Sequence, residues 1–197
     1  LTDALCSGAV DPEILAPLLS DLGIGVYCRG GRIYVKSWSG LEKELYYASS
    51  GIRESITVAI SLATKMYPFT IVEEPEAHLH PSAQVTLAKT IARAVNRFGK
   101  TVVITTHSPY MLYALNNLII ASKNPLKARR LGIEEEEMLK PEHVAAYLIE
   151  PSDGKAELKR LKVSDEGVPE DEFERVVNEL EKIRSKLSPW WKRILPT

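Results

Sequence analysis

Apolar residues recur along the chain in two patterns, one typical of helices and one typical of buried strands. Helical spacing predicts helices over four segments, 12–22, 52–66, 82–97 and 170–187. Short apolar runs predict strands over 69–72, 101–105 and 118–121, with a short helix over 109–115. Strands that alternate with helices and are apolar throughout indicate an α/β fold whose mainly parallel sheet carries helices on both faces.

Two other segments alternate with a period of two and predict hairpins. Gly30-Gly31 separates residues 25–28 from 32–36, and a turn ending at Gly154 separates 144–149 from 157–163. The closing helix is amphipathic, and we expect its apolar face to point inward, a face made of Phe173, Val176, Val177, Leu180 and Ile183.

Composition limits the classes of protein to consider. The chain has 197 residues, is 45% hydrophobic and carries a net charge of -1, so no overall charge attracts it to nucleic acid or to an anionic membrane. No apolar run approaches the ~20 residues of a membrane-spanning helix. We expect one domain over residues 1–187 and a tail over 188–197, and the start at Leu1 rather than at a methionine is consistent with a fragment.

Three local features have ordinary interpretations. Cys6 and Cys28 lack metal or redox spacing, which favours small core residues in a reduced, cytoplasmic protein. The acidic run 134–137 is typical of a solvated loop or helix. The segment Trp190-Trp191-Lys192-Arg193 could stack on nucleic acid, but packing within the chain or on a subunit is the favoured reading.

Three polar segments carry the candidate chemistry. The strand at 69–72 runs into Glu73-Glu74, and acids at the carboxyl end of a buried strand are costly unless they meet a cation or a proton. The next strand ends in a cluster around His107, which would lie at the same edge of the sheet. Ser49-Ser50-Gly51 opens a helix, where free backbone N–H groups suit an anion.

Together these segments resemble the ATP-binding-cassette (ABC) ATPases over about residues 45–121. The most similar branch is the soluble one that includes the structural-maintenance-of-chromosomes (SMC), recombination-repair and overcoming-lysogenization-defect ATPases. Ser49-Ser50-Gly51 resembles the signature loop, although Ala48 replaces its leucine; 69–74 resembles the Walker B strand and 76–81 the D-loop. His107 resembles the switch histidine. The resemblance implies a P-loop-NTPase-like fold that uses ATP and Mg²⁺ as cofactors.

The same resemblance implies a role for each matching residue. Glu73 would hold Mg²⁺, Glu74 would activate the attacking water, and His107 would contact the γ-phosphate. Ser49, Ser50 and Gly51 would close over ATP bound to a second subunit, so the expected partner is a second copy or another ATPase subunit. DNA or a DNA-associated protein is a further expected partner, and no membrane is expected.

The largest departure from the family is the missing Walker A phosphate loop. Gly99-Lys100-Thr101 imitates its end, but Ala94 stands where the first glycine belongs, and the tripeptide leads into a strand instead of a helix. We therefore expect the Walker A lobe upstream or on another chain, and the 197 residues alone to be inactive.

The leading hypothesis is an ATPase head that closes as an ATP-dependent dimer, in DNA maintenance or phage defence. One alternative is a non-hydrolysing dimerisation module derived from the same fold, which an intact Glu74 and His107 disfavour. A nuclease ranks last, because the acids after residue 122 do not fall at strand ends. His78 and His80 near Glu74 and Glu76 also fit a transition-metal site, a minor alternative.

Overall fold

A computed structural model describes residues 1–187, within which helices and strands alternate over most of the chain. The helices are α1 Thr2–Cys6, α2 Pro12–Leu22, α3 Ser50–Leu62, α4 Pro81–Phe98, α5 Pro109–Lys123, α6 Pro125–Arg130 and α7 Asp171–Leu187. The strands are β1 Ile24–Arg29, β2 Arg32–Ser37, β3 Glu42–Glu44, β4 Phe69–Glu73, β5 Thr101–Thr105, β6 Ala146–Ser152 and β7 Lys155–Leu161. The interpretation of Trp190 and its neighbours falls outside these residues.

The strands form one parallel pair and two antiparallel sheets. β4 and β5 run parallel, with Phe69 opposite Thr101 and Glu73 opposite Thr105. β1, β2 and β3 form an antiparallel sheet, and β6 with β7 forms a hairpin. Both hairpins predicted from the sequence are present. Gly30 and Gly31 have φ values of 58° and 72°, the left-handed backbone that a two-residue hairpin turn requires.

The main core lies where α2, α3, α4 and α5 meet the parallel pair. α4 contributes the most regular face, because Leu87, Ile91 and Ala94 recur every three or four residues and are all buried. His80 caps the start of α4 by accepting from the backbone N–H of Ser82, and Gly99 ends the helix with a left-handed φ of 64°. Helix α4 therefore forms the scaffold between the two central strands.

One face of the parallel pair is packed and the other is open. Val72, Val102 and Ile104 pack against the main core. Phe69, Ile71 and Val103 point the other way and are exposed, with Ile71 at 64%. The predicted α/β class is confirmed, but the parallel sheet comprises only two strands among residues 1–187, and the expected helix cover is seen on one face.

The predicted strand at 118–121 is wrong, because these residues belong to α5. Ser108 caps this helix by accepting from the backbone N–H of Met111. The buried residues Met111, Ala114, Leu118 and Ala121 follow helical spacing. The run Leu118-Ile119-Ile120-Ala121 looks like a buried strand by composition, yet it continues the apolar face of a helix.

The predicted inward face of α7 is also wrong. The helix forms and is amphipathic, but Val176, Val177, Leu180 and Ile183 are exposed. Periodicity identifies an apolar face without saying whether anything covers it. Among the described residues, no helix is long and apolar enough to cross a membrane.

The structure corrects two interpretations made from the sequence, that of the two cysteines and that of the acidic run 134–137. Cys6 and Cys28 are not separate core residues, since a disulfide joins them and ties α1 to β1. Within the acidic run, Glu137 is buried rather than solvated, and its carboxylate pairs with Arg93 at 2.8 Å and Lys89 at 3.2 Å. Both cations lie on α4, so this acid anchors the segment after α6 to the central helix.

Candidate functional site

The carboxyl ends of β4 and β5 bring two of the predicted site residues, Glu74 and His107, together. Glu73 pairs in register with Thr105, and the Glu74 N–H donates to the Thr105 carbonyl oxygen at 3.0 Å. Glu74 then leaves the sheet with a φ of 42°, a conformation that costs a residue with a Cβ some strain. Its Oε1 lies 3.8 Å from Nε2 of His107. Carboxylate and imidazole therefore face one another at the strand edge.

Both side chains of this pair are open to solvent. The His107 side chain is 90% exposed and that of Glu74 is 56% exposed, so neither is buried within the described residues. An exposed carboxylate next to an imidazole offers oxygen ligands and a ring N–H donor to an incoming charged group. Among the described residues, no group of three or more His, Cys, Asp or Glu side chains is placed to hold a metal ion, so this edge alone supplies only part of a site for Mg²⁺ and a triphosphate.

The signature-like loop lies against the segment that follows β4. A Cβ on Gly51 would approach the His78 Cβ to 2.9 Å, so only glycine allows this contact. His78 itself has a φ of 66°, and its Nε2 lies 3.5 Å from a carboxylate oxygen of Glu54 on α3. The structure therefore joins the start of α3 to the D-loop-like turn within one chain.

The start of α3 presents groups that suit an anion. Ser49 occupies the N-cap position, yet its side chain makes no capping hydrogen bond. Ser49 and Ser50 are exposed, which leaves hydroxyls and the first backbone N–H groups of the helix available. Arg53 donates to the Tyr46 carbonyl oxygen at 3.3 Å, so the arginine helps to fix the turn that precedes the loop.

Gly99-Lys100-Thr101 has a structural role. Gly99 terminates α4, and the Lys100 side chain is 4% exposed. The Lys100 ammonium donates to the carbonyl oxygens of Ser61 at 2.5 Å and Tyr67 at 2.7 Å. Burial lowers the pKa of Lys100 from its ordinary value of 10.5. A lysine held in this way is not available to a phosphate.

Sequence reasoning placed Glu76 only in the D-loop-like segment and in the metal alternative, and it gave no role to Thr106. In the structure these two residues link the two strand ends. Glu76 is buried and accepts a hydrogen bond from the Thr106 hydroxyl at 2.5 Å. The repeated acid in Glu73-Glu74-Pro75-Glu76 was a signal, but its burial depends on a residue 30 positions away. The two histidines of the metal alternative have separate contacts, because His80 caps α4 and His78 faces Glu54.

Comparison with known proteins assigns the class. A family model described as an AAA ATPase domain matches residues 13–112, just over half of the chain. Comparison with curated protein sequences found no significant match. The chain belongs to the AAA ATPase domain family.

Solved structures define the fold more closely. One reported for the structural biochemistry of ATP-driven dimerization and DNA-stimulated activation of SMC ATPases aligns with a TM-score of 0.52 at 16% identity, over 93% of this chain and 92% of the other. The Pyrococcus furiosus Smc head domain, bound to the C-terminal domain of ScpA, aligns with a TM-score of 0.52 at 15% identity, over 90% of this chain and 38% of the other. The Thermotoga maritima SMC head domain aligns at 0.45 and 11% identity, over 82% and 51%.

The family model and the two alignments with a TM-score of 0.52 confirm the recognition made from the motifs. The first two alignments cover at least nine tenths of this chain and give it the fold of SMC-type ATPase heads. The chain thus has a P-loop-NTPase-like fold. It spans 38% of the Pyrococcus furiosus chain.

Proposed function

We propose that this chain is the signature and Walker B half of an ABC-type ATPase head, which binds and hydrolyses ATP together with a Walker A lobe located upstream or on another chain. The observation that carries the proposal is the pairing of Glu74 with His107, 3.8 Å apart at the carboxyl edge of two parallel strands. This edge is where α/β folds of this kind bind their ligands.

Each residue of the edge has a distinct task in the proposal. Glu73 holds Mg²⁺, and Glu74 accepts the proton of the attacking water. His107 donates a hydrogen bond to the γ-phosphate end of the substrate. When bound, Mg·ATP supplies the reactive phosphoanhydride bond and the positive charge that offsets the charge on the phosphoryl oxygens.

The open face of the parallel pair supports a missing lobe. Phe69, Ile71 and Val103 expose apolar side chains on one face of the parallel pair, and parallel sheets are normally covered on both faces. A lobe that covered this face and extended the sheet would bring its phosphate loop to the same edge as Glu74. The buried Lys100 is not available as a substitute for the Walker A lysine, because its ammonium donates to the carbonyl oxygens of Ser61 and Tyr67.

The start of α3 supports a role across a dimer. Ser49 and Ser50 are exposed, and among residues 1–187 no side chain caps the start of α3. This is expected of a loop that binds the ATP of another subunit. ATP-driven dimerization is described for the SMC ATPases that share the fold. A role in DNA maintenance or phage defence belongs to the same proposal, and the DNA-stimulated activation described for SMC ATPases supports the DNA branch.

Dimer formation tests this proposal in the complete, Walker A-containing protein. Glu74→Gln should slow hydrolysis and accumulate as a dimer when Mg·ATP is added. In the Glu74→Gln background, Ser49→Arg should keep the protein monomeric, because a long side chain would crowd the γ-phosphate of the partner's ATP. Ser185→Arg adds the same side chain at an exposed position of α7 and serves as the control. Light scattering with and without Mg·ATP measures the mass.

The proposed trans role would fail on either of two results. One is a Glu74→Gln protein that binds ATP yet stays monomeric. The other is a Ser49→Arg protein that dimerises as well as Ser185→Arg when each is combined with Glu74→Gln.

A further inference from the structure

Glu76 is a buried carboxylate beside the proposed catalytic edge. Glu76 is 7% exposed and lies in the turn that leads from β4 into α4. Backbone hydrogen bonds from Ala77 to Glu74 and from Leu79 to Glu76 keep this turn compact. Burying an ionised carboxylate is expensive unless hydrogen bonds compensate it. The contacts of Glu76 should therefore reveal what the burial achieves.

Among the described residues, the donors to the Glu76 carboxylate come from the segment that carries His107. Thr106 donates its hydroxyl to Oε1 at 2.5 Å, and the His107 backbone N–H donates to the same oxygen at 3.3 Å. The Ser108 N–H donates in turn to the Thr106 hydroxyl oxygen at 3.0 Å. One carboxylate oxygen thus organises three consecutive residues at the end of β5.

The exposed His107 ring depends on this backbone for its position. Its side chain is 90% exposed, and its contact with Glu74 is 3.8 Å long. Glu74 is fixed independently, since its N–H donates to both the carbonyl and the hydroxyl oxygen of Thr105. The alignment of the imidazole with the Glu74 carboxylate is therefore set largely by the backbone that Glu76 holds.

The second carboxylate oxygen of Glu76 indicates that this residue is not explained by the stability of the fold alone. Oε2 is buried and has no hydrogen-bond partner among the described residues. An unpaired buried oxygen lowers stability, and such groups are found where function requires them. A carboxylate strengthens the hydrogen bonds that Oε1 accepts, because hydrogen bonds to a charged acceptor are roughly twice as strong as those to a neutral one.

We propose that Glu76 is a positioning residue that, through Thr106 and the His107 backbone, sets the His107 ring against Glu74 for phosphoryl transfer. The proposal rests on the proposed ATPase function and adds to it a residue that never touches the nucleotide. Since misplacing a catalytic group by 1 Å can cost about 10²-fold in rate, the effect should appear in kcat.

The experiment uses the complete protein and changes the donor rather than the buried acid, which could unfold when replaced. Thr106→Val keeps the side-chain shape but removes the hydroxyl, and Thr106→Ser keeps the hydroxyl. We expect Thr106→Val to lower kcat by about 10- to 100-fold with KM for ATP within about twofold of wild type, and Thr106→Ser to recover most of the rate.

A double mutant separates positioning from a general loss of structure. If Thr106 acts through His107, Thr106→Val should have no further effect on kcat in a His107→Ala background. A wild-type kcat in Thr106→Val, a rise in KM alone, or a full additional loss in the His107→Ala background would overturn the proposal.

Hydrogen exchange distinguishes this failure from a failure of the proposed function. In the 197-residue chain, the His107 amide should exchange at least about tenfold faster in Thr106→Val and in Glu76→Gln than in wild type, with the α4 amides unchanged. Unchanged exchange at His107 would overturn the positioning proposal even in an active enzyme. A complete wild-type protein without ATPase activity would instead overturn the proposed function.

Discussion

Replacing Gly51 by alanine tests the close contact between the signature-like loop and the D-loop-like turn. The new Cβ would lie 2.9 Å from the His78 Cβ, well inside the ~3.5–4.0 Å at which carbon atoms attract. Overpacking of this kind costs about 1–3 kcal/mol. Alanine's better helix propensity in the first turn of α3 offsets about 0.5–1 kcal/mol. We expect a net loss of about 1–2 kcal/mol in unfolding free energy.

Urea denaturation of the 197-residue chain measures this loss, and His78→Gly supplies the matched background. Glycine at position 78 removes the opposing Cβ and relieves the left-handed φ of 66°. Gly51→Ala should then be neutral or stabilising by up to about 1 kcal/mol. If Gly51→Ala costs the same in both backgrounds, to within about 0.5 kcal/mol, the contact does not require glycine and the reasoning is wrong.

Three further predictions concern the same chain. Without Walker A, it should show no calorimetric binding of Mg·ATP tighter than about 1 mM, whereas the complete protein should bind it. Burial lowers the pKa of Lys100 from 10.5 in the folded state, so just below pH 10.5 the unfolded chain holds more protons than the folded chain. The unfolding free energy should therefore rise with pH up to that value. Urea titrations should show this rise in the wild-type chain and not in Lys100→Met. Arg97→Met breaks contacts to Asp11 at 2.9 Å, Glu13 at 2.8 Å and Glu136, and should cost about 1–3 kcal/mol at pH 7. Burial alone would raise the pKa of Asp11, but the hydrogen bond from Arg97 outweighs it, and the pKa is lowered from 3.8 overall. The stability that the Arg97–Asp11 contact contributes should therefore be lost as the pH falls below this value and the carboxylate is protonated.

The central strands and their edge could be predicted because two general rules determine them. Apolar runs identified β4 and β5, and parallel strands place their carboxyl ends at one edge, which brought Glu74 to His107. The hairpin turn at 30–31 could also be predicted from local sequence, because two consecutive glycines readily adopt the positive φ that a two-residue hairpin turn requires. In these cases the information lies within a few neighbouring residues.

The remaining features depend on neighbours that are distant in sequence. The run 118–121 is apolar enough for a strand, and only its packing on the core identifies a helix. Pairing of Cys6 with Cys28 requires α1 to lie beside β1, which no spacing rule predicts. Glu76 is buried because Thr106 and His107 fold over it from another strand. The face of α7 has the reverse property, since its periodicity is clear but its expected cover is absent among the described residues.

The most direct test of the central claim is the ATPase rate of Glu74→Gln in the complete, Walker A-containing protein. Glutamine keeps the size of the side chain but cannot accept the proton of the attacking water. Glu142→Gln removes the same charge at an exposed position outside the site and serves as the control. We predict a fall in kcat of about 10² to 10⁴ for Glu74→Gln with Mg·ATP binding retained, and no change for the control. A Glu74→Gln protein that hydrolyses ATP at the control rate would contradict the account.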